Sequence, residues 1–231
     1  MKISCTQNNL SESLSIVSHL ATKNIQLPIL SHVLIQIEDR VLKLTSTNLE
    51  IAVSVKLRAK VDALGSFTVP AKLLADFVNL LPADRVDLEQ KGDSLVVSSK
   101  TTNTTIRGTG ATDFPLIPKI DQGEKYQLSA PELKQALERV IFAAAATQTR
   151  PELTGVLFRF NAAKGELALA ATDSFRLAEA RLRAEVKADG SFILPARAAS
   201  EVIRILGSVS DEIQGGDSVE IIRGESQALF N

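Results

Sequence analysis

The strongest constraint on the fold is that the chain repeats itself. Four segments of the first half return in the second half, in the same order and at nearly constant spacing. The pairs are 10–17 with 133–140, 31–35 with 154–158, 65–72 with 190–197 and 92–95 with 216–219, at offsets of 123, 123, 125 and 124 residues. An offset that drifts by one or two residues indicates two related domains with loops of different length. We therefore predict one domain over 1–120 and a second over 121–231, each of ordinary size.

A shorter repeat lies inside each domain. Leu10, Leu14 and Val17 have the spacing of one helix face, and three strand-like runs follow this helix. The order of one strand, one helix and three strands begins again at residue 66 and occurs twice more in the second domain. In each predicted unit the second range is the helix and the other four are strands. The units of the first domain are 2–6, 8–20, 32–38, 41–47 and 49–58, and then 66–69, 71–81, 85–90, 94–99 and 103–107. Those of the second domain are 125–129, 131–146, 154–160, 166–172 and 176–183, and then 191–194, 196–206, 211–214, 218–223 and 227–231. Residues 109–124, rich in Gly, Pro and Asp, are predicted to link the domains.

The repeat predicts an α+β fold. Each unit has more strand than helix, and each helix has a single apolar face. The simplest packing joins two units per domain, with both helices on one side and antiparallel sheets outside. The alternation of apolar and polar residues in 53–58 is typical of an antiparallel strand with one solvated face.

Composition excludes several classes of protein. The 26 Lys and Arg residues nearly balance 27 Asp and Glu residues, which argues against nucleic-acid binding by the whole surface but allows a local basic face. The single cysteine, Cys5, fits a reducing cytosol better than a disulfide framework. No leader precedes residue 10 and no apolar run reaches membrane length, so we expect a cytoplasmic protein without a membrane partner.

The search for catalytic groups favours a protein that is not an enzyme. His19 and His32 lie in no motif with an acid or a nucleophile, and Cys5 fits a small apolar strand residue. No phosphate-binding loop, G-x-S-x-G motif or metal-ligand spacing occurs, so we expect no catalytic residue, no metal and no cofactor. The alternative is a two-domain small-molecule binding protein or enzyme with a site between the domains, which needs converging titratable groups.

Basic residues are informative through their positions. Lys72 and Arg197 occupy the same point of the repeat, while Lys134, Arg139 and Arg204 are predicted on helix faces opposite the apolar stripes. Two interpretations stay open: ordinary solvated helix faces, which composition favours, or a curved polar wall that contacts phosphates without reading bases.

A polar cluster at 172–177 has a simple structural interpretation. Thr47-Asn48-Leu49 stands at the same point of the first domain. We therefore interpret 172–177 as a turn between two strands.

Five segments, spread in order along the chain, carry a family resemblance. They are LPILSHVL at 27–34, VPAK at 69–72, DFP at 113–115, ATDSFRLA at 171–178 and LPAR at 194–197. With these segments and the nested repeat, the chain resembles the bacterial sliding clamp family, the β subunit of DNA polymerase III. The resemblance implies the DNA-clamp fold, with three copies of the domain in each chain.

The resemblance also implies a function. Two such chains close head to tail into a homodimeric ring around duplex DNA, of any sequence, and tether the replicative polymerase for processive synthesis without catalysis. The implied protein partners are the DNA polymerase III α subunit, the clamp loader and other proteins with a clamp-binding motif. Residue 231 corresponds to the last strand of the first domain, so we expect a fragment that lacks a third domain and does not close a ring by itself.

Two sets of site residues follow from the resemblance. The implied DNA-facing residues are Lys23, Asn24, Lys72, Gln148, Arg150 and Arg197. The implied wall of a groove for partner peptides consists of Leu153, Thr172, Ser174, Phe175, Arg176 and Leu177. Ser174 stands where the family usually has Gly, and Phe175 stands where His is frequent, so we expect a more apolar wall.

Overall fold

The chain folds into two units of mixed helix and sheet. The computed structural model describes residues 1–21, 27–38, 41–120, 122–147, 150–208 and 217–231. They divide into two compact units, Met1–Ile117 and Pro118–Asn231. Each unit combines helices with antiparallel sheets, which confirms the predicted α+β class. Among the described residues, no helix has both the length and the apolar character that crossing a membrane requires.

Within the first domain, the two repeated units of one strand, one helix and three strands interlock. Its helices, α1 (Gln7–Ser18) and α2 (Ala71–Asn79), pack against each other. Its strands are β1 (Lys2–Thr6), β2 (His32–Glu38), β3 (Val41–Thr47), β4 (Ala52–Arg58), β5 (Lys60–Ala63), β6 (Gly65–Pro70), β7 (Arg85–Lys91), β8 (Ser94–Ser98), β9 (Asn103–Arg107) and β10 (Thr109–Gly110). The two sheets have the orders β5-β1-β7-β8-β9 and β10-β6-β2-β3-β4. The leading strand of each unit therefore joins the three strands of the other unit.

The second domain repeats this exchange. Its helices, α3 (Ala130–Val140) and α4 (Ala196–Ser208), also pack against each other. Its strands are β11 (Glu124–Ser129), β12 (Gly155–Asn161), β13 (Glu166–Thr172), β14 (Leu177–Arg183), β15 (Glu185–Val186), β16 (Gly190–Pro195), β17 (Ser218–Arg223) and β18 (Ala228–Phe230). The sheet orders are β15-β11-β17-β18 and β14-β13-β12-β16.

Amphipathic patterns place these elements around each core. Leu133, Leu137 and Val140 of α3 are completely buried, as their helical spacing predicts. The Ser129 hydroxyl accepts a bond from the Glu132 amide at 3.4 Å and caps the start of this helix. Strand β4 alternates buried and exposed residues along its length, which confirms the predicted solvated face. Each fully buried leucine or valine contributes about 1.5–3 kcal/mol through burial of apolar surface.

Helix α2 ends two residues earlier than predicted. The amides of Leu80 and Leu81 donate to the carbonyls of Phe77 and Val78 at 3.1 Å, so the last turn tightens into i to i+3 bonds. The spacing of Leu74, Phe77 and Leu81 predicts one buried face. Leu74 and Leu81 are buried, but Phe77 is half-buried and Val78 is buried in its place.

The spacing of Ala199, Val202, Ile205 and Leu206 predicts one buried face for helix α4, and the structure buries this face only in part. Ala199 is completely buried, whereas Val202, Ile205 and Leu206 are only half-buried. The strand predicted near 211–214 lies outside the described residues.

The predicted linker begins later than 109. Thr109–Gly110 form β10, which pairs with β6 of the first domain. Gly108 explains this close approach, because a Cβ there would lie 2.1 Å from the Thr68 carbonyl oxygen and 2.5 Å from the Phe67 ring. Phe114 is also buried, so the segment packs as part of a domain.

Candidate partner-binding turn

The segment 172–176 forms a turn held by its own side chains. The Thr172 hydroxyl donates to the Arg176 carbonyl at 2.6 Å and accepts from the Ser174 amide at 3.1 Å. The amides of Phe175 and Arg176 both donate to one carboxylate oxygen of Asp173 at 3.0 Å. These bonds confirm the interpretation of 172–177 as a turn between strands, here β13 and β14.

The charge of Asp173 is stabilised within the turn. The amides of Arg176 and Phe175 hold the pKa of this carboxyl below its ordinary value of 3.8, and the positive charge of Arg176 adds to the effect. Arg176 also donates from Nε to the other carboxylate oxygen at 2.9 Å. Ser174 has φ of 77°, a left-handed conformation that favours glycine. The turn thus keeps a conformation that its backbone alone disfavours.

The turn presents apolar side chains to solvent. Phe175 is 98% exposed and Leu177 is 70% exposed. The guanidinium carbon of Arg176 lies 5.5 Å from the centre of the Phe142 ring, within cation–π range. Phe142 is itself 58% exposed. Exposed aromatic and aliphatic side chains next to a rigid turn form a surface suited to the apolar side chains of a peptide.

Phe142 is a residue of this surface that the sequence reasoning missed. It belongs to the 3₁₀ turn Ile141–Ala143, directly after α3. The sequence could have indicated its exposure, because Phe142 does not lie on the apolar face of the predicted helix 131–146. Leu153 ends a second 3₁₀ turn, Pro151–Leu153, and is half-buried, and its carbonyl accepts from the Ala145 amide at 2.9 Å.

The first domain contains the same turn in a different surface. The Thr47 hydroxyl donates to the Ile51 carbonyl at 2.9 Å and accepts from the Leu49 amide at 3.0 Å. The side-chain oxygen of Asn48 accepts from the amides of Glu50 and Ile51 at 3.0 and 2.8 Å. Leu49 has φ of 77°, the value found at Ser174. The turn geometry is therefore a property of the repeat, and only its side chains are particular to the second domain.

Two of the expected DNA-facing residues lie at helix starts. Lys72 and Arg197 are exposed, and each is the second residue of its helix, α2 or α4. A cation in the first turn opposes the helix dipole, at a cost of about 0.3–1 kcal/mol. Helix stability therefore does not explain a basic residue at both equivalent positions. A basic side chain beside a helix N-terminus does suit a phosphate group.

The other expected DNA-facing residues are less informative. Arg150 is exposed and directly precedes the turn Pro151–Leu153. Lys23, Asn24 and Gln148 lie outside the described residues.

Arg204 corrects one part of the solvated-face interpretation. Its Nη2 lies 2.6 Å from Oε1 of Glu201, one turn earlier on α4, and the side chains are 24% and 8% exposed. Glu201 is buried and Arg204 is half-buried, so this side of α4 is not a solvated face. Arg139 is exposed as predicted, whereas Lys134 is half-buried, since its chain runs against Gly207 of α4.

The residues considered for catalysis fit structural roles. Burial raises the pKa of the Cys5 thiol to about 12, so the group stays protonated inside β1. His32 is half-buried, with Nδ1 3.3 Å from the Thr68 hydroxyl, and burial lowers its pKa below the ordinary 6.5. In the part of the chain that the structure describes, no three His, Cys, Asp or Glu side chains form a group that could hold a metal ion.

Two repeated domains, each built from interlocked strand–helix units, define a protein of the DNA-clamp fold. The family described as "DNA polymerase III beta subunit, N-terminal domain" matches residues 1–118, and its "central domain" matches residues 127–229. The chain therefore belongs to the DNA polymerase III beta subunit family.

Relatives and solved structures agree with this assignment. The "Beta sliding clamp" of Synechococcus elongatus is 32% identical over 237 residues, which cover 100% of this chain and 61% of that protein. The "Beta sliding clamp" of Bacillus subtilis is 27% identical over 241 residues, with 100% and 62% covered.

The solved structures extend the likeness to three dimensions. The beta subunit of Thermotoga maritima has a TM-score of 0.87 at 27% identity, covering 100% of this chain and 61% of that one. The Pseudomonas aeruginosa sliding clamp bound to griselimycin has a TM-score of 0.89 at 28% identity, covering 100% and 62%. The chain thus spans slightly more than three fifths of the length of these relatives.

Proposed function

We propose that this chain supplies two domains of a sliding clamp that encircles duplex DNA and tethers the replicative polymerase, without catalysis of its own. The observation that carries the proposal is the match to two successive domains of the DNA polymerase III beta subunit, in order and over nearly the whole chain. The proposed site of action is the cytoplasm, where such a ring meets the chromosome.

The charges of the chain are compatible with this role. A closed ring is held on DNA by topology, so strong attraction to phosphate is unnecessary and a net charge of −1 is acceptable. Lys72 and Arg197 supply weak contacts to the sugar–phosphate backbone, which carry no sequence information. A protein that must slide is served by contacts of this kind.

The exposed turn at 172–177 is the proposed docking site for partner proteins. Phe175 and Leu177 offer apolar contact area, while the bonds of Thr172 and Asp173 keep the turn rigid. A rigid surface lowers the ordering cost that a bound peptide must overcome. The proposed ligands are short linear motifs of the polymerase III α subunit, the clamp loader and other clamp-binding proteins.

Retention on circular DNA tests the clamp proposal. Because the relatives are longer, the assay uses this chain alone and this chain joined to the third domain of a relative. The proteins are loaded on nicked circular duplex by a clamp loader and separated from free protein by gel filtration. We expect the three-domain form to elute with circular DNA and to dissociate when the DNA is cut. The chain alone should elute as free protein, separate from the DNA. Retention on linear DNA would overturn the topological mechanism.

Charge reversal tests the proposed DNA-facing residues in the same assay. Lys72→Glu with Arg197→Glu should lower loading several-fold without destabilising the fold, because both side chains are exposed and a carboxylate in the first turn of a helix suits the helix dipole. The matched control is Lys60→Glu with Arg183→Glu, which reverses two exposed strand charges. Unchanged loading of the first pair would remove these residues from the DNA-facing set.

A further inference from the structure

The outer face of the sheet that carries the turn has a row of residues in register. Arg159 on β12 lies opposite Ala168 on β13, and Ala168 lies opposite Arg181 on β14. Directly opposite residues of antiparallel strands project to the same face. Leu167 and Leu169 are completely buried, so Ala168 and its two arginine neighbours project away from the core. A small residue thus stands between two long cationic ones.

This arrangement produces a cavity of about 110 Å³. Its lining consists of Arg159, Asn161, Lys164, Glu166, Ala168 and Arg181. A water molecule takes roughly 30 Å³ of the liquid, so the space suits a group the size of a carboxylate. A second cavity of about 390 Å³ shares Arg159 and Asn161 with the first and extends towards β16. We call the first cavity and its lining the arginine trough.

The arginine trough carries an excess of positive charge. Three cations line it against one carboxylate, that of Glu166. Glu166 is already 3.7 Å from both Lys164 Nζ and Arg181 Nη1, and Arg181 has a closer partner in Glu179 at 2.6 Å. Among the described residues, no carboxylate oxygen lies within ion-pair distance of the Arg159 guanidinium. Arg159 is exposed and therefore available to an incoming anion.

The trough is continuous with the candidate partner-binding turn. Strand β13 runs from Ala168 through Ala170 to Thr172, where the turn begins, and all three residues share one face. At about 3.4 Å per residue, Ala168 lies roughly 14 Å from Thr172. Leu177 pairs with Thr172 and marks the apolar end of this path. An extended peptide of about four residues spans the distance.

The first domain shows what the same position looks like without a trough. Its equivalent row is Gln36, Lys43 and Lys56, in the same register on β2, β3 and β4. Lys43 stands where the second domain has Ala168, so a long side chain occupies the centre of the face. Gln36 replaces the arginine. The trough is therefore particular to the domain that also carries the exposed Phe175.

We propose that the arginine trough binds an acidic side chain of a partner peptide, about four residues from the apolar residues that contact the turn. This inference rests on the proposed function, since it extends the same docking site. The lining favours a peptide over nucleic acid, because Lys164 and Arg181 already have carboxylate neighbours. Among the described residues this leaves Arg159 for one acidic side chain, whereas nucleic acid needs a row of cations. Ala168, Ala170 and Leu177 provide the apolar floor that an extended peptide needs.

The test compares two peptides on the whole 231-residue chain. Both carry an apolar clamp-binding motif, and one adds two aspartates four residues away while the other adds two serines. Affinity is measured by fluorescence anisotropy at low and high salt. We expect the acidic peptide to bind about tenfold tighter at low salt, which corresponds to 1.4 kcal/mol. The advantage should shrink at high salt, since exposed charges are screened.

Variants assign the effect to the trough. Arg159→Gln, which introduces the residue of the first domain, should remove most of the tenfold advantage and leave the binding of the serine peptide unchanged. Ala168→Leu, which fills the floor, should do the same without changing charge. Lys56→Gln, which removes a cation from the equivalent row of the first domain, is the matched control and should leave the advantage intact.

The possible outcomes are distinct. If both peptides bind the chain equally, the trough proposal fails and the turn remains the docking site. If neither peptide binds, the proposed docking function fails and the trough proposal fails with it. A single-stranded oligonucleotide without a motif is the third ligand, followed through the Arg159 Nε–Hε signal by NMR. A shift with the oligonucleotide and none with the acidic peptide would overturn the assignment to a peptide.

Discussion

The two domains share a backbone and differ in what they place on it. The turn at 47–51 and the turn at 172–176 have the same hydrogen bonds and the same left-handed third residue. The sheet rows behind them have the same register. Within the described residues, the second domain combines a nearly fully exposed aromatic at its turn with a cavity between two arginines, whereas the first has Glu50 and Lys43 at the equivalent positions. The repeat provides the scaffold, and a few surface substitutions make one copy suitable for partners.

Truncation of equivalent core leucines should have the largest effect and tests whether the two cores are alike. Leu14 of α1 and Leu137 of α3 are both completely buried. Each change to alanine should cost about 2–5 kcal/mol of unfolding free energy, through lost transfer energy and a cavity. Urea unfolding followed by circular dichroism measures both. A cost below 1 kcal/mol at one site would show that the domains are packed differently.

Removal of the threonine hydroxyl should lower the free energy of unfolding by different amounts in the two turns. Thr47 is 4% exposed and Thr172 is half-buried, although both make the same two bonds. We expect Thr47→Ala to cost about 1–3 kcal/mol because it leaves buried groups unpaired, and Thr172→Ala to cost less. Thr47→Ser and Thr172→Ser keep the hydroxyl and serve as controls in the same urea titrations. Equal costs would show that burial does not distinguish the turns.

Glycine at the left-handed positions should stabilise both turns by a smaller amount. Leu49 and Ser174 each have φ of 77°, which costs an ordinary residue about 1–2 kcal/mol. Part of that gain is lost to the greater freedom of glycine in the unfolded chain. We expect Leu49→Gly and Ser174→Gly to raise the melting temperature by a few degrees at most. Glu50→Gly, next to the strained Leu49, should lower the melting temperature. A higher melting temperature for Glu50→Gly than for Leu49→Gly would contradict the strain argument.

Acid should loosen only the second-domain turn, and this is the smallest effect that we expect. The pKa of Asp173 is lower in the folded protein than its ordinary 3.8, so its bonds stabilise the turn above that value and are lost as the pH falls through the folded pKa. Asn48, the equivalent residue, does not titrate.

The measurement is the amide shift of Phe175 and Glu50 by NMR from pH 6 to pH 2. We expect the Phe175 signal to move below about pH 4 and the Glu50 signal to stay. Asp173→Asn should abolish the movement, because it introduces the side chain of the first domain. Parallel movement of both amides in the unmodified chain would indicate general acid unfolding.

Local patterns were sufficient for most elements and for part of the site. The strands predicted at 32–38, 41–47 and 166–172 have the observed bounds, and the turn at 172–177 is confirmed. Prediction failed where a residue acts through a distant partner. Thr109 begins a strand rather than a linker, because Gly108 lets Phe67 and Thr68 of a strand far back in the chain approach closely.

The sequence alone determined the order of elements, the repeat and the family resemblance, because apolar periodicity and turn residues act over short distances. Tertiary structure decided which strands pair. The leading strand of each unit crosses into the sheet of its neighbour, and no local pattern specifies that exchange. It also decided that Ala168 lies between Arg159 and Arg181, three residues that belong to three successive strands. Strand register brings them together, and register depends on the packing of a whole buried face.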